Sequence, residues 1–199
     1  VSIMQNINKK PTVLHIINSN IYSGLENVVI SIIESLKEKY NFFYVCKDGP
    51  IVDVLKEKSI NRIKIDKISK NELIRLENNY KPDLIVAHDY TASLMCGFFI
   101  KKTKIIFHLH NNSPWLKNVL HPYNYIFLLS CLRKNVKQIL IVSDSIKKEY
   151  IFSKNINDKI INVSNPISCF NVTSKIDENK NYNVEYDICC VARLTKQKN

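Results

Sequence analysis

The chain has 199 residues, with 29 Lys+Arg against 18 Asp+Glu, and a formal charge of +11. That length suits one sizeable domain and part of a second, while 45% hydrophobic and 24% charged residues exclude a disordered chain. Three glycines and six prolines exclude collagen-like and low-complexity classes, and the longest apolar run, Tyr125 to Leu132, falls far short of the roughly 20 residues a membrane span needs.

Along the chain, short β-branched runs alternate with segments of helical periodicity, the pattern of βαβ units on a parallel sheet. The strands expected are Thr12–Ile17, Phe42–Cys46, Ile63–Ile65, Leu84–Ala87, Lys104–Leu109, Ile139–Val142 and Ile160–Val163, with an eighth at Tyr186–Ala192. Most are apolar at successive positions, as strands buried on both faces are. Between them, Leu25–Lys39 repeats apolar residues at Val28, Val29, Ile32, Ile33 and Leu36, the spacing of one helix face. Shorter helices are expected at Ile51–Lys58, Glu72–Asn79, Thr91–Ile100 and Ser145–Phe152, with Ser69 and Ser143 as N-caps. Leu116–Lys134 is helical in pattern but contains Pro122, which predicts a kink or two pieces. The fold class is therefore α/β, a Rossmann-like parallel sheet with helices on both faces. A first domain over residues 1–170 is followed by a polar linker at 171–185, and residues 186–199 open a second domain.

The first ten residues include Lys9 and Lys10, but the apolar run after them, Val13 to Ile17, is too short for the core of an export signal. The six cysteines (46, 96, 131, 169, 189, 190) show no metal or disulfide spacing, and several lie in apolar segments where a free thiol acts as a small hydrophobe. These features predict a protein of the reducing cytoplasm, soluble or peripheral on the membrane. The positive charge fits an anionic partner or a compositional drift toward Lys, Ile and Asn. Without zinc-finger spacing or an aromatic–basic RNA signature, no nucleic-acid partner is expected.

In an open parallel sheet, ligands bind beyond the carboxyl ends of the strands. There the sequence places Ser23, Gly24 and Glu26 after the first strand, and His88 and Asp89 after the fourth. His108, His110, Asn111 and Asn112 follow at the fifth, and Arg193 and Lys198 at the last. Ser23-Gly24 at a helix start suits an anion, since free N–H groups point outward and glycine admits a phosphate; it equally suits a plain turn and cap. No dinucleotide fingerprint or P-loop is present. His108 and His110, two apart, share a direction if the strand persists. With His88 and Asp89 they could ligate a metal, but without helix-spaced support a hydrogen-bonding role is preferred and no metal is expected. Arg193 and Lys198 suit a diphosphate, or form a solvated basic tail. The 116–137 segment, aromatic and apolar with basic ends, is either an interfacial helix drawn to an anionic membrane surface or a core helix with exposed ends.

Taken in order, Ser23-Gly-Leu-Glu26, Pro82-Asp-Leu-Ile-Val-Ala-His88, Ile105-Ile-Phe-His-Leu-His110, Ile141-Val-Ser-Asp-Ser145, Ile160-Ile-Asn-Val-Ser-Asn-Pro166 and Val191-Ala-Arg-Leu-Thr-Lys-Gln-Lys198 resemble the retaining glycosyltransferases of family 4, which have the two-domain GT-B fold. The resemblance implies transfer of a sugar from a nucleotide-diphosphate sugar, a co-substrate rather than a cofactor, to a glycan or lipid-linked acceptor. It implies that residues 1–170 are the acceptor-binding domain and that residues 186–199 begin the donor-binding one. Gly24, Arg193 and Lys198 would hold the donor diphosphate, and His110 would stand at the reaction centre binding sugar hydroxyls. Ser23, Glu26, His88, Asp89 and Asn111 would line the acceptor side. Ser23, Ala192 and Asn199 stand where the family usually has glycine. The family's donor-sugar glutamate pair is absent, so this chain alone is expected to transfer sugar poorly.

Overall fold

The computed structural model describes residues 10–166. Seven strands, β1 (Thr12–Ile16), β2 (Asn41–Cys46), β3 (Arg62–Lys64), β4 (Leu84–His88), β5 (Lys104–Leu109), β6 (Val136–Ile141) and β7 (Ile160–Asn162), form one sheet in the order β3-β2-β1-β4-β5-β6-β7. Every neighbouring pair is parallel. The seven expected strands in this region are all present, with ends shifted by a few residues. β6 starts earliest against expectation, at Val136, because Val136 and the exposed Gln138 pair with β5 on either side of a bulge at Lys137. The opening strand at 186–192 and the linker at 171–185 lie outside the described residues.

The six helices are α1 (Gly24–Leu36), α2 (Ile51–Glu57), α3 (Lys70–Tyr80), α4 (Asp89–Phe99), α5 (Pro122–Cys131) and α6 (Asp144–Glu149). Pro122 divides the expected long helix into two pieces, a 3-10 turn at Pro114–Lys117 and α5, where proline sits at the first helical position and loses no hydrogen bond. The Ser69 and Ser143 hydroxyls accept the N–H groups of Glu72 and Ser145, as expected of N-caps.

Side-chain alternation along the strands divides the core into two layers. Leu14 and Ile16 of β1 pack with Leu73, Ala92, Cys96, Phe127 and Ile146 from α3 to α6. Val13 and Ile17 turn to the other face and pack with Val29, Ile30, Ile33 and Leu55 of α1 and α2. Cys46, Cys96 and Cys131 are buried free thiols, the small hydrophobes that the sequence predicts. The order in which strands are added reverses between β1 and β4, which makes their carboxyl ends the topological switch point where such sheets bind ligands.

Candidate functional site

Four imidazoles meet at that switch point. His15 is the penultimate residue of β1, His88 ends β4, His108 lies in β5, and His110 follows β5 directly. Period-two alternation puts His15, His88 and His108 on the sheet face that α1 covers, where Val13, Val86 and Ile106 also point. His88 and His108 are register partners on adjacent strands. His15 Nδ1 is 2.9 Å from His88 Nε2, and His88 Nδ1 is 3.1 Å from His110 Nε2. The His108 and His110 rings are 4.1 Å apart. His88 is therefore the middle member of a chain, with both ring nitrogens engaged and 1% of its surface exposed. It supports His110 from behind and faces no open space of its own.

Burial sets the protonation of the cluster. It lowers the pKa of His108 to about 4, and burial together with the neighbouring His108 lowers His15 and His110 to about 3. Burial, then the charges of His15, His108 and His110, pushes His88 well below its ordinary value. All four are neutral imidazoles near pH 7. His15 Nε2 and His108 Nε2 are buried without a hydrogen-bond partner, a state that costs about 1–3 kcal/mol per group. Both histidines also line an apolar groove of about 420 Å³ between α1 and the sheet, with Val86, Ile106 and Leu140.

The loops around the cluster are fixed by carboxylates. Asp89 opens α4 with φ +60°, a left-handed conformation that Asp tolerates better than most residues. Its Oδ1 accepts the backbone N–H of His110 at 3.1 Å, which holds the end of β5 against the start of α4. Burial raises the Asp89 carboxyl pKa, and the charge of Glu26 adds to the rise. Glu26 is itself buried, its Oε2 accepting from Ser23 N at 3.0 Å and from Ser23 Oγ at 2.6 Å. Ser23 and Glu26 are thus committed to closing the first turn of α1. Between them, Gly24 has nothing within 4 Å of where a Cβ would lie, so the space beside the helix start is open.

The structure brings Gly24, Glu26, His88, Asp89 and His110 to one edge of the sheet, with Asn111 exposed beside His110. Arg193 and Lys198 lie outside the described residues. His15 is a site residue the sequence reading passed over. Its signal was a lone polar side chain inside the otherwise apolar run Val13-Leu-His-Ile-Ile17.

The family model for glycosyltransferase family 4 matches residues 22–169, most of the chain and all the loops just described from Tyr22 onward. The chain belongs to glycosyltransferase family 4. No curated protein matches the sequence. Solved structures share its fold at low identity. HepE of Anabaena, in complex with UDP-glucose, superimposes with a TM-score of 0.64 at 16% identity, over 79% of this chain and 44% of that one. A glycosyltransferase from Rickettsia africae gives 0.60 at 19% identity, over 81% and 44%. The UDP-GlcNAc 2-epimerase of Neisseria meningitidis, bound to UDP-GlcNAc, gives 0.51 at 16%, over 77% and 46%. The family 4 chain spans less than half the length of each, and its Rossmann-like sheet corresponds to one half of the GT-B architecture. Among the described residues, no helix is long and apolar enough to cross a membrane.

Proposed function

We propose that this family 4 chain is the acceptor-side half of a retaining glycosyltransferase that moves a sugar from a nucleotide-diphosphate sugar to a glycan or lipid-linked acceptor. The carboxyl edge at the β1/β4 switch point carries the reading. There a half-buried neutral imidazole, His110, is held from two directions by His88 and Asp89, beside a helix start left open at Gly24. A neutral imidazole so fixed suits hydrogen bonding to sugar hydroxyls better than nucleophilic attack. The N–H groups at the start of α1 suit a phosphate, and the family resemblance assigns Arg193 and Lys198 to the donor diphosphate and its leaving group. The binding of UDP-glucose by HepE supports a nucleoside-diphosphate sugar as donor. Ser23 and Glu26 shape the loop through their mutual bonds, and Asn111 is the exposed side chain placed to meet an acceptor.

The test is transfer from radiolabelled UDP-glucose and related donors by the enzyme completed with its donor-binding half. His110→Ala is expected to lower turnover about a hundredfold, some 2.7 kcal/mol of transition-state stabilisation, while nucleotide affinity stays within a factor of about three. Unchanged turnover would contradict the assignment. The 199-residue chain alone is expected to turn over poorly, and robust transfer by it would show that no second half is needed.

An acceptor anchored in lipid fits a second feature. α5 packs Phe127, Ser130 and Cys131 inward but exposes Tyr123, Tyr125, Leu129 and Leu132, and the loop before it exposes Val119 and Leu120, the latter by 89%. At the far end of α5, Lys101, Lys102, Lys104, Arg133, Lys134 and Lys137 line a basic hollow of about 610 Å³. Apolar side chains flanked by cations are the composition of a surface that rests on anionic lipid. In this reading the enzyme works peripherally on the cytoplasmic face. The chain is expected to sediment with phosphatidylglycerol vesicles at low salt and to be released as salt rises. Leu120→Glu with Leu129→Glu is expected to abolish sedimentation, and wild-type failure to sediment would return α5 to a purely structural role.

A further inference from the structure

We propose that Gly49, with Asn20, Asp48 and Arg62, is a positioning centre for the β1–α1 loop, a brace that holds the open helix start at Gly24 where a phosphate can use it. The role rests on the reading of the α1 start as a phosphate site. Residues 18–23 join β1 to α1 and carry the exposed Ile21 and Tyr22. Most of the loop's hydrogen bonds are local. The Ile21 N–H donates to Ser19 Oγ at 3.3 Å, the Tyr22 hydroxyl to Asn27 Oδ1 at 3.0 Å, and Ser23 closes on Glu26. Among the described residues, both hydrogen bonds that tie this loop to anything beyond α1 are made by Asn20. Its Nδ2 donates to the Asp48 carbonyl at 2.7 Å, and its own carbonyl accepts the Ile51 N–H at 3.2 Å. Ile51 is the first residue of α2, so the Asn20 carbonyl satisfies a donor that a helix leaves free at its start.

Gly49 makes that approach possible. A Cβ there would stand 2.5 Å from the Asn20 carbonyl oxygen and 2.6 Å from its Nδ2. The carbonyl is backbone, so any side chain at position 49 pushes the loop itself. Gly49 has no positive φ, and glycine is needed there for space rather than for backbone conformation. The far side of the brace is fixed by charge. Arg62 Nη2 pairs with Asp48 Oδ1 at 2.6 Å, and Lys64 pairs with the other carboxylate oxygen. Arg62 and Lys64 are two apart on β3 and share a face. Asp48 and Lys64 are more than half exposed, so these pairs add little stability. What they do is fix where residue 48 stands, and through it Asn20 and the start of α1. A phosphate held by main-chain N–H groups depends on their placement, and a displacement of about 1 Å can cost about a hundredfold in rate.

The decisive variants leave the net charge unchanged, so that a loss of anion binding reports geometry. In the 199-residue chain, affinity for inorganic pyrophosphate is read from the Gly24 amide signal, and deuterium exchange of the Ile21, Tyr22 and Ser23 amides is followed beside it. Gly49→Ala is expected to weaken pyrophosphate binding about tenfold. It is also expected to speed exchange of those three amides about tenfold, while the β5 amides exchange as before. Asn20→Ala keeps the carbonyl and loses Nδ2, and is expected to weaken pyrophosphate binding about threefold. Unaltered affinity in a folded Gly49→Ala chain would overturn the brace and leave the phosphate site standing. No response at Gly24 in the unaltered chain would overturn both. If Gly49→Ala fails to fold, Asn20→Ala decides, and pyrophosphate affinity equal to that of the unaltered chain then counts against the brace.

Discussion

Two buried polar centres sit at opposite edges of the same sheet. At the amino edge, Glu77 of α3 accepts three backbone N–H groups, Lys101 at 3.2 Å and Lys102 and Thr103 each at 2.8 Å. Burial works to raise its pKa, but those three donors outweigh it and hold the carboxyl below its ordinary value. At the carboxyl edge the histidine chain leaves two buried nitrogens without a partner. A fully satisfied polar group pins a loop, whereas an unsatisfied one marks a place where the protein keeps chemistry in reserve. By that measure the Glu77 centre is architecture and the carboxyl edge is the candidate site.

The sharpest way to break this comparison is to delete each centre in turn. Glu77→Ala strands three N–H donors, that of Thr103 buried and those of Lys101 and Lys102 partly so, and is expected to cost about 3 kcal/mol, read from the urea midpoint. His110→Ala, at a half-buried position, is expected to cost no more than about 1 kcal/mol while removing function. Comparable losses from both would erase the distinction. Acid should separate the centres next. Each cluster histidine has its folded pKa depressed, so unfolding takes up protons once pH falls below about 6.5. Stability is expected to fall as pH drops from about 6.5 toward 4, each histidine adding up to about 1.4 kcal/mol per pH unit. The Glu77 contribution is present above the ordinary carboxylate pKa and is lost only at lower pH, as the folded carboxyl protonates. Flat stability between pH 7 and 5 would contradict the burial of the four imidazoles. The smallest effect is expected at Gly24. Gly24→Ala meets open space, so stability should stay within about 1 kcal/mol, yet the added methyl group narrows the approach to the α1 start and should weaken phosphate binding severalfold.

Much of the scaffold was legible because parallel strands buried on both faces leave an apolar run with β-branched residues, as in Ile105-Ile-Phe107, and because Pro122 has one favourable place in a helix. The start of β6 is masked because Lys137 and Gln138 break the apolar run, although Val136 and Gln138 still pair with β5 around a bulge at Lys137. The site was legible as an edge, since residues that follow strands gather at one end of such a sheet. Its internal wiring was not. Neither the 2.9 Å contact between His15 and His88 nor the role of Asp89 in holding His110 can be read from spacing, because each joins segments more than 20 residues apart. Likewise Ser23 reads from the sequence as either a helix cap or an anion contact, and only the geometry shows it bonded to Glu26.

The most direct measurement is an amide NMR titration of the isotopically labelled chain with UDP-glucose and, separately, inorganic pyrophosphate. Ligand-induced shifts are expected to centre on Gly24, His110 and Asn111. Shifts confined to Lys101–Lys104 and Arg133–Lys137, at the opposite edge, would put the nucleotide-sugar site in the basic hollow that this account assigns to anionic lipid.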